Sequence, residues 1–175
     1  MNQFKEWGFS TQWWRGEKGE YWVLGQTVLS VGFALLPVYP AIALDHFSPI
    51  WKYADWGLTG IFGLIALLLL FSGSLELGAN LTPLPHPKHD GELVTGGVYA
   101  LVRHPIYSGV IFLAIAYSCW KLSLAHAIGA MILLLFFDIK ARKEESWLST
   151  KFSDYDQSHI PLVMEGEKQL RNRYR

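Results

Sequence analysis

The chain is short of cysteine and of charge. Cys119 is the one cysteine among 175 residues, which excludes an intramolecular disulfide and any zinc site built from paired cysteines. In an apolar run such a thiol behaves as a small hydrophobe. Only 17% of residues are charged, against about 25% in an ordinary soluble domain, while 51% are hydrophobic and 15% aromatic. Lysine plus arginine equals aspartate plus glutamate, so the net charge is zero. That balance gives no electrostatic footing for nucleic acid, and no RNA- or DNA-binding motif occurs. The first twenty residues carry Lys5, Glu6, Arg15, Glu17, Lys18 and Glu20 around no apolar core, which speaks against a cleavable signal peptide. The length suits one compact domain.

What is abundant is apolar sequence of membrane length. Four segments lack Asp, Glu, Lys and Arg: residues 21–44, 56–75, 104–120 and 122–137, of 24, 20, 17 and 16 residues. About 20 apolar residues cross a bilayer, so the first two qualify outright. Lys121 alone divides the last two. They read as a helical hairpin whose lysine snorkels at the interface, the fourth helix running on past Asp138 through IKARKEESWL. Pro37 and Pro40 should kink or end the first helix. Gly57, Gly60 and Gly63 form a smooth stripe that suits a neighbouring helix. The expected fold class is all-α, an integral membrane bundle of about four transmembrane helices.

With four spans, the N-terminus, the loop between the second and third helices and the C-terminus share one side. Thirteen basic residues lie there: Lys5, Arg15, Lys18, Lys88, Arg103, Lys140, Arg142, Lys143, Lys151, Lys168, Arg171, Arg173 and Arg175. Only Lys52 and Lys121 lie opposite. The bias predicts cytoplasmic N- and C-termini, with Trp51, Trp56 and Trp120 at the outer interface and Trp13, Trp14 and Trp22 at the inner one. Residues 1–20 read as an interfacial segment, 21–79 as the first two helices, 80–165 as a functional core and 166–175 as a basic tail.

Two segments on that inner side are too specific for simple connectors: NLTPLPHPKHDGELVTGGVYALVRHPIYSG (80–109) and KARKEESWLSTKFSDYDQSHIP (140–161). They flank the hairpin, so its antiparallel packing returns them to the same membrane face. Pro83, Pro85 and Pro87 enforce an extended path, Gly96 and Gly97 permit a turn, and Pro105 suits the first position of a helix. The residue before it, His104, is biased to extended backbone. Such a helix start favours an anion, and Tyr99, His104 and Tyr107 around it can stack on a purine or attract a sulfonium cation. Alternatively they form an interfacial aromatic belt. Lys140 and Glu144, four apart, share a helix face, with Glu145 a quarter turn away; a solvated charged helix end would look the same. His86, His89 and Asp90 invite a metal reading but lack further ligands, so no metal is expected. His46, His126 and His159 are isolated and read as structural.

The stretch LVTGGVYALVRHPIYSG resembles the signature L-V-T-x-G-x-Y-x-x-x-R-H-P-x-Y-x-G of the isoprenylcysteine carboxyl methyltransferases. Glu144 and Glu145, then Phe152, Tyr155 and Pro161, match the double glutamate and the aromatic stretch that follow in that family. The resemblance spans roughly residues 80–163. It implies S-adenosylmethionine as cofactor, bound without a Rossmann domain, and no G-x-G-x-x-G element is present here. By the same resemblance, Gly91, Glu92, Leu93, Val94, Tyr99, His104, Pro105, Ile106, Tyr107 and Glu144 are the cofactor-binding positions. Isoprenylcysteine enzymes tend to carry arginine four residues before the first glutamate; here it is Lys140, a point charge without the bidentate fork.

The expected function is methyl transfer from S-adenosylmethionine to an apolar, membrane-resident acceptor, a lipophilic small molecule or a prenylated substrate in the bilayer. Its catalytic candidates are Arg103 and Lys140 as cations for a carboxylate acceptor, and Glu145 as base for an amine. An NADPH-dependent sterol-type reductase shares a related R-H-P-N-Y motif, but Ile106 and Val110 replace its asparagine and glutamate. A non-enzymatic membrane subunit keeping the fold is the third alternative.

Overall fold

The structure, a computed structural model, describes residues 15–16, 18–38, 49–87 and 91–152. It is all-α, with no strand among the described residues. Four helices follow in order: α1 Glu20–Leu35, α2 Pro49–Leu77, α3 Pro105–Lys121 and α4 Leu124–Lys151. Short 3-10 turns occupy Gly78–Asn80 and Gly97–Ala100 in the connection between α2 and α3. Most of the expected N-terminal interfacial segment and all of the basic tail lie outside the described residues.

α1 is shorter than the apolar run that contains it. Leu36, next to Pro37, takes φ −57° and ψ 137°, the extended geometry that a following proline imposes. The helix therefore stops at Leu35, as the proline led one to expect, and its 16 residues rise about 24 Å. Pro40 lies outside the described residues. α2 is longer than its apolar run, starting at Pro49, a residue suited to a helix start.

Among the described residues, two helices are long and apolar enough to cross a membrane, Ile50–Asn80 and Leu124–Lys151. Their outward faces carry Ile61, Leu64, Leu68, Phe71 and Leu75 on one and Ile128, Met131, Leu135 and Ile139 on the other, all exposed. Contiguous apolar surface on that scale marks a lipid or partner contact. The protein core is small: Ala114, Ala130, Leu133 and Phe137, with Leu29, Phe33, Tyr107 and Val110 packed against them.

The α3–α4 hairpin forms as its sequence suggests. Leu122 turns the chain at φ 47°, and Ser123 caps α4 by accepting a hydrogen bond from His126 N. Lys121 Nζ lies 3.6 Å from the Trp120 ring centroid, a cation–π contact that keeps the ammonium at the hairpin tip. α3 starts at Pro105, and α4 runs unbroken to Lys151.

The glycine stripe of α2 makes no close helix contact among the described residues, where a Cβ at Gly57, Gly60 or Gly63 would meet nothing within 4 Å. α2 contacts α3 closely farther along, where Ala66, Leu70 and Gly73 recur at helical spacing. There, a Cβ on Gly109 would lie 2.7 Å from Leu70 Cγ and 3.1 Å from the Ala66 carbonyl oxygen. Gly109→Val should therefore cost about 1–3 kcal/mol through overpacking, read as a lower melting temperature in detergent. Gly60→Ala, made into open space, should leave the melting temperature unchanged or slightly raised. Equal effects would mean that the helices meet elsewhere.

Candidate functional site

Antiparallel packing of α3 and α4 brings residues 104–107 against 137–145 at one end of the bundle. Pro105 at the first helical position gives α3 a clean start, and His104 before it has φ −128° and no side-chain cap bond. The first N–H groups of α3 accordingly have no partner within the helix. The His104 and Tyr107 rings stack at 5.3 Å with 7° between their planes, and Tyr107 rests on Phe137 at 5.0 Å. Tyr107 donates a hydrogen bond of 2.7 Å to Glu144 Oε2, and His104 Nδ1 lies 3.8 Å from the same oxygen. No hydrogen bond engages Glu144 Oε1 among the described residues.

Glu145 lies behind this layer. Its Oε1 is 3.1 Å from His104 Nε2 and 3.6 Å from Arg103 Nη1. Lys140 points inward: the residue is 1% exposed, and Nζ donates to Gln26 Oε1 at 2.6 Å and to the Pro83 carbonyl at 3.4 Å. The ammonium also lies 4.8 Å from the Tyr107 ring centroid. Among the described residues it pairs with no carboxylate. On the outer surface of the same helix, Arg142 pairs with Asp138 at 2.9 Å, and Lys143 lies over Trp147.

These groups surround a cavity of about 420 Å³, within the usual range for small-molecule sites. Every catalytic and cofactor-binding candidate from the sequence lines it except Glu145: Gly91, Glu92, Leu93, Val94, Tyr99, Arg103, His104, Pro105, Ile106, Tyr107, Lys140 and Glu144. The proline-rich segment supplies Thr82, Pro83, Leu84 and Pro87, and the end of α4 supplies Leu148 and Phe152. Glu145 does not touch the cavity. One turn of helix per 3.6 residues carries it around to His104 and Arg103, so it is not placed to take a proton from a bound ligand.

Sequence reading missed Gln26, which lines the cavity from α1. It is the only side-chain amide in the first apolar run, and a polar group within a membrane segment is itself a signal. It also missed Asn80, whose Oδ1 accepts from Glu92 N at 3.2 Å. His86 engages the Pro87 carbonyl and Trp147, while His89, Asp90, Tyr155 and Pro161 lie outside the described residues.

The phospholipid methyltransferase family matches residues 55–155, more than half of the chain. The chain belongs to this family. The family includes the isoprenylcysteine carboxyl methyltransferases whose signature the sequence resembles, and its members generally use S-adenosylmethionine. Together with the apolar helices, membership makes the chain a membrane protein and a methyltransferase. No curated protein and no solved structure matches it. In this methyltransferase the match covers the walls from α2, α3 and α4, while Gln26 lies outside it.

Tyr99, in the turn before the signature arginine, is buried, and its hydroxyl donates to the Gly73 carbonyl at 3.2 Å. Burial, then the carboxylates of Glu144 and Glu76, push its phenol up to about 12 from an ordinary 10.0. A phenol that ionises at higher pH when folded than when unfolded contributes stability at neutral pH, and loses it as pH rises from 10 to about 12. Melting temperatures measured across that window should fall more steeply for the wild type than for Tyr99→Phe. Parallel curves would mean that the phenol titrates as in water.

Proposed function

We propose that this methyltransferase transfers the methyl group of S-adenosylmethionine to a lipophilic, membrane-resident acceptor. The observation that carries this reading is that the start of α3 and the Glu144 carboxylate face one cavity. Free N–H groups of α3 suit a ligand carboxylate. Glu144, with Oε1 uncommitted and its side chain 24% exposed, suits ligand ammonium or hydroxyl donors. The faces of Tyr99, His104 and Tyr107 suit an adenine or a sulfonium. When bound, S-adenosylmethionine supplies an electrophilic methyl on a positively charged sulfur; the acceptor's lone pair forms the new bond as the carbon–sulfur pair returns to sulfur.

The residues of this chain then have three tasks. Pro105, Ile106 and Tyr107 orient, Leu148 and Phe152 exclude water, and Lys140 with Arg103 holds charge. Orientation and dehydration are enough to speed a displacement that needs no proton relay. Lys140 favours an acceptor that is already anionic, such as a carboxylate with a pKa near 3.5; the carboxylate of a prenylcysteine is one such group. An amine would have to lose a proton, and Glu145, the nearest candidate base, is occupied by His104 and Arg103.

The cavity faces the cytoplasm in this reading, since the basic residues cluster on its side of a four-span bundle. Cysteines introduced at residue 96 and at the chain termini of a Cys119→Ala background should be labelled from the cytoplasmic side, and one at residue 52 from the opposite side. Labelling of residue 52 from the cytoplasm would overturn the topology.

S-adenosylhomocysteine should raise the melting temperature of the purified protein, and NADPH should not. Glu144→Gln preserves size and removes charge, and should weaken S-adenosylhomocysteine binding by about 1.5–3 kcal/mol. Lys143→Gln, on the exposed face, should change it by about 1 kcal/mol or less. Calorimetry in one detergent decides between them. Equal affinities would remove Glu144 from the site, and a shift with NADPH alone would replace methyl transfer with reduction.

A further inference from the structure

In sequence Glu76 is the first charged residue after the apolar run of α2. In the structure the C-terminal half of that helix is a rail for the segment that builds the cavity. Ala66, Leu70, Gly73, Glu76 and Asn80 recur at helical spacing along one face, and each meets that segment or the helix it leads into. Ala66 and Leu70 seat Gly109. Gly73 leaves room for Pro105, whose Cγ would lie 3.0 Å from a Cβ there, and its carbonyl accepts from Tyr99. Asn80 accepts from the backbone of Glu92. Between these contacts, Glu76 Oε2 accepts a hydrogen bond from Val98 N at 2.8 Å.

Gly97 shows how closely the turn is pressed onto that carboxylate. Its φ of 56° is left-handed, and a Cβ built there would overlap Glu76 Oε1. Glycine is the residue that adopts this φ and this approach without penalty. The bond from Val98 opens the Gly97–Ala100 turn, where backbone donors have no partner of their own, and a charged acceptor makes the stronger kind of hydrogen bond.

We infer that Glu76 is a positioning residue for methyl transfer: its carboxylate fixes the turn at Gly97–Ala100, and through it the wall that runs from Tyr99 to Tyr107. The inference rests on the methyl-transfer reading above. Glu76 does not line the cavity, so it acts through the residues that do. Tyr99 is held by one neutral hydrogen bond to Gly73 and by the Val98 anchor next to it. Without the anchor the turn can rotate, and Arg103 and His104 follow it in the chain. The α2–α3 contact at Gly109 and Leu70 lies deeper in the bundle and survives the change, so the turn loosens while the fold remains.

The test uses the full chain in detergent, with a total lipid extract as methyl acceptor and Glu76→Ala, Glu76→Gln and Gly97→Ala as variants. In Glu76→Ala, hydrogen exchange at the Val98 and Tyr99 amides should accelerate roughly tenfold or more, with α3 unchanged, as expected for losing one bond to a charged group. The KM for S-adenosylmethionine should rise by roughly tenfold, with kcat altered much less. Glu76→Gln, whose amide oxygen still accepts from Val98, should restore both readouts to near wild type. Gly97→Ala should reproduce the KM rise with every charge intact, and it carries the test should Glu76→Ala not fold. Unchanged exchange and KM in Glu76→Ala overturn the inference, as does a Glu76→Gln variant as impaired as Glu76→Ala. If the wild type binds no S-adenosylhomocysteine, the methyl-transfer reading fails, while amide exchange still reports whether Glu76 holds the turn.

Discussion

The hydrogen bond from Tyr107 to Glu144, 2.7 Å long, joins two segments that are 37 residues apart, and it exists only in one register of the α3–α4 hairpin. Leu122 sets that register by turning the chain in a left-handed conformation, and Ser123 starts the return helix at once. Near the turn, Tyr117 meets His126 with ring centroids 5.0 Å apart; farther along, Tyr107 meets Phe137 at the same separation. A slip of one residue would rotate α4 by about 100° and carry Lys140 and Glu144 off the cavity together. The tight turn is therefore as much a condition of the site as the residues that line it.

That register also sorts the charges. Glu145 is drawn to Arg103 and His104 behind the wall, which leaves Glu144 as the carboxylate that α4 turns to the cavity. Lys140 is satisfied by an amide oxygen and a carbonyl. Neutral partners stabilise a buried ammonium without cancelling its charge, whereas a carboxylate partner would offset it. The cavity thus presents one acceptor and one cation on the same face of α4, four residues apart.

Much of this was legible in the sequence because it is written in local signals. Proline at position 105 marks the start of α3, Lys121 marks the hairpin tip, and the spacing of Lys140 and Glu144 puts both on one helix face. The signature segment drew attention to the residues that the structure gathers around one cavity. The end of α1 was legible as well, because Pro37 acts on the residue before it and the helix stops at Leu35. Two features were not legible. The Gly57, Gly60 and Gly63 stripe looks like a packing site, but where along a helix the close contact falls is decided by its neighbours; here Gly109 draws in Leu70, nearer the other end of α2. Glu145 is adjacent to Glu144 in sequence, and adjacency on a helix separates side chains by about 100°.

Gln26 shows where a family signature stops being informative. The matched range begins at residue 55, so the contact between α1 and Lys140 belongs to the part of the chain that the family does not describe. A methyl donor is the same molecule for every acceptor, and the walls proposed to hold it come from α2, α3 and α4, inside the matched range. An acceptor differs from one enzyme to another. The α1 side of the cavity, where Gln26 holds Lys140 next to the apolar interior of the bundle, is where such a difference can be accommodated without disturbing the wall opposite. The cavity is thus built from two parts, a hairpin fixed by its own turn and a first helix, outside the matched range, that packs onto it as a separate piece.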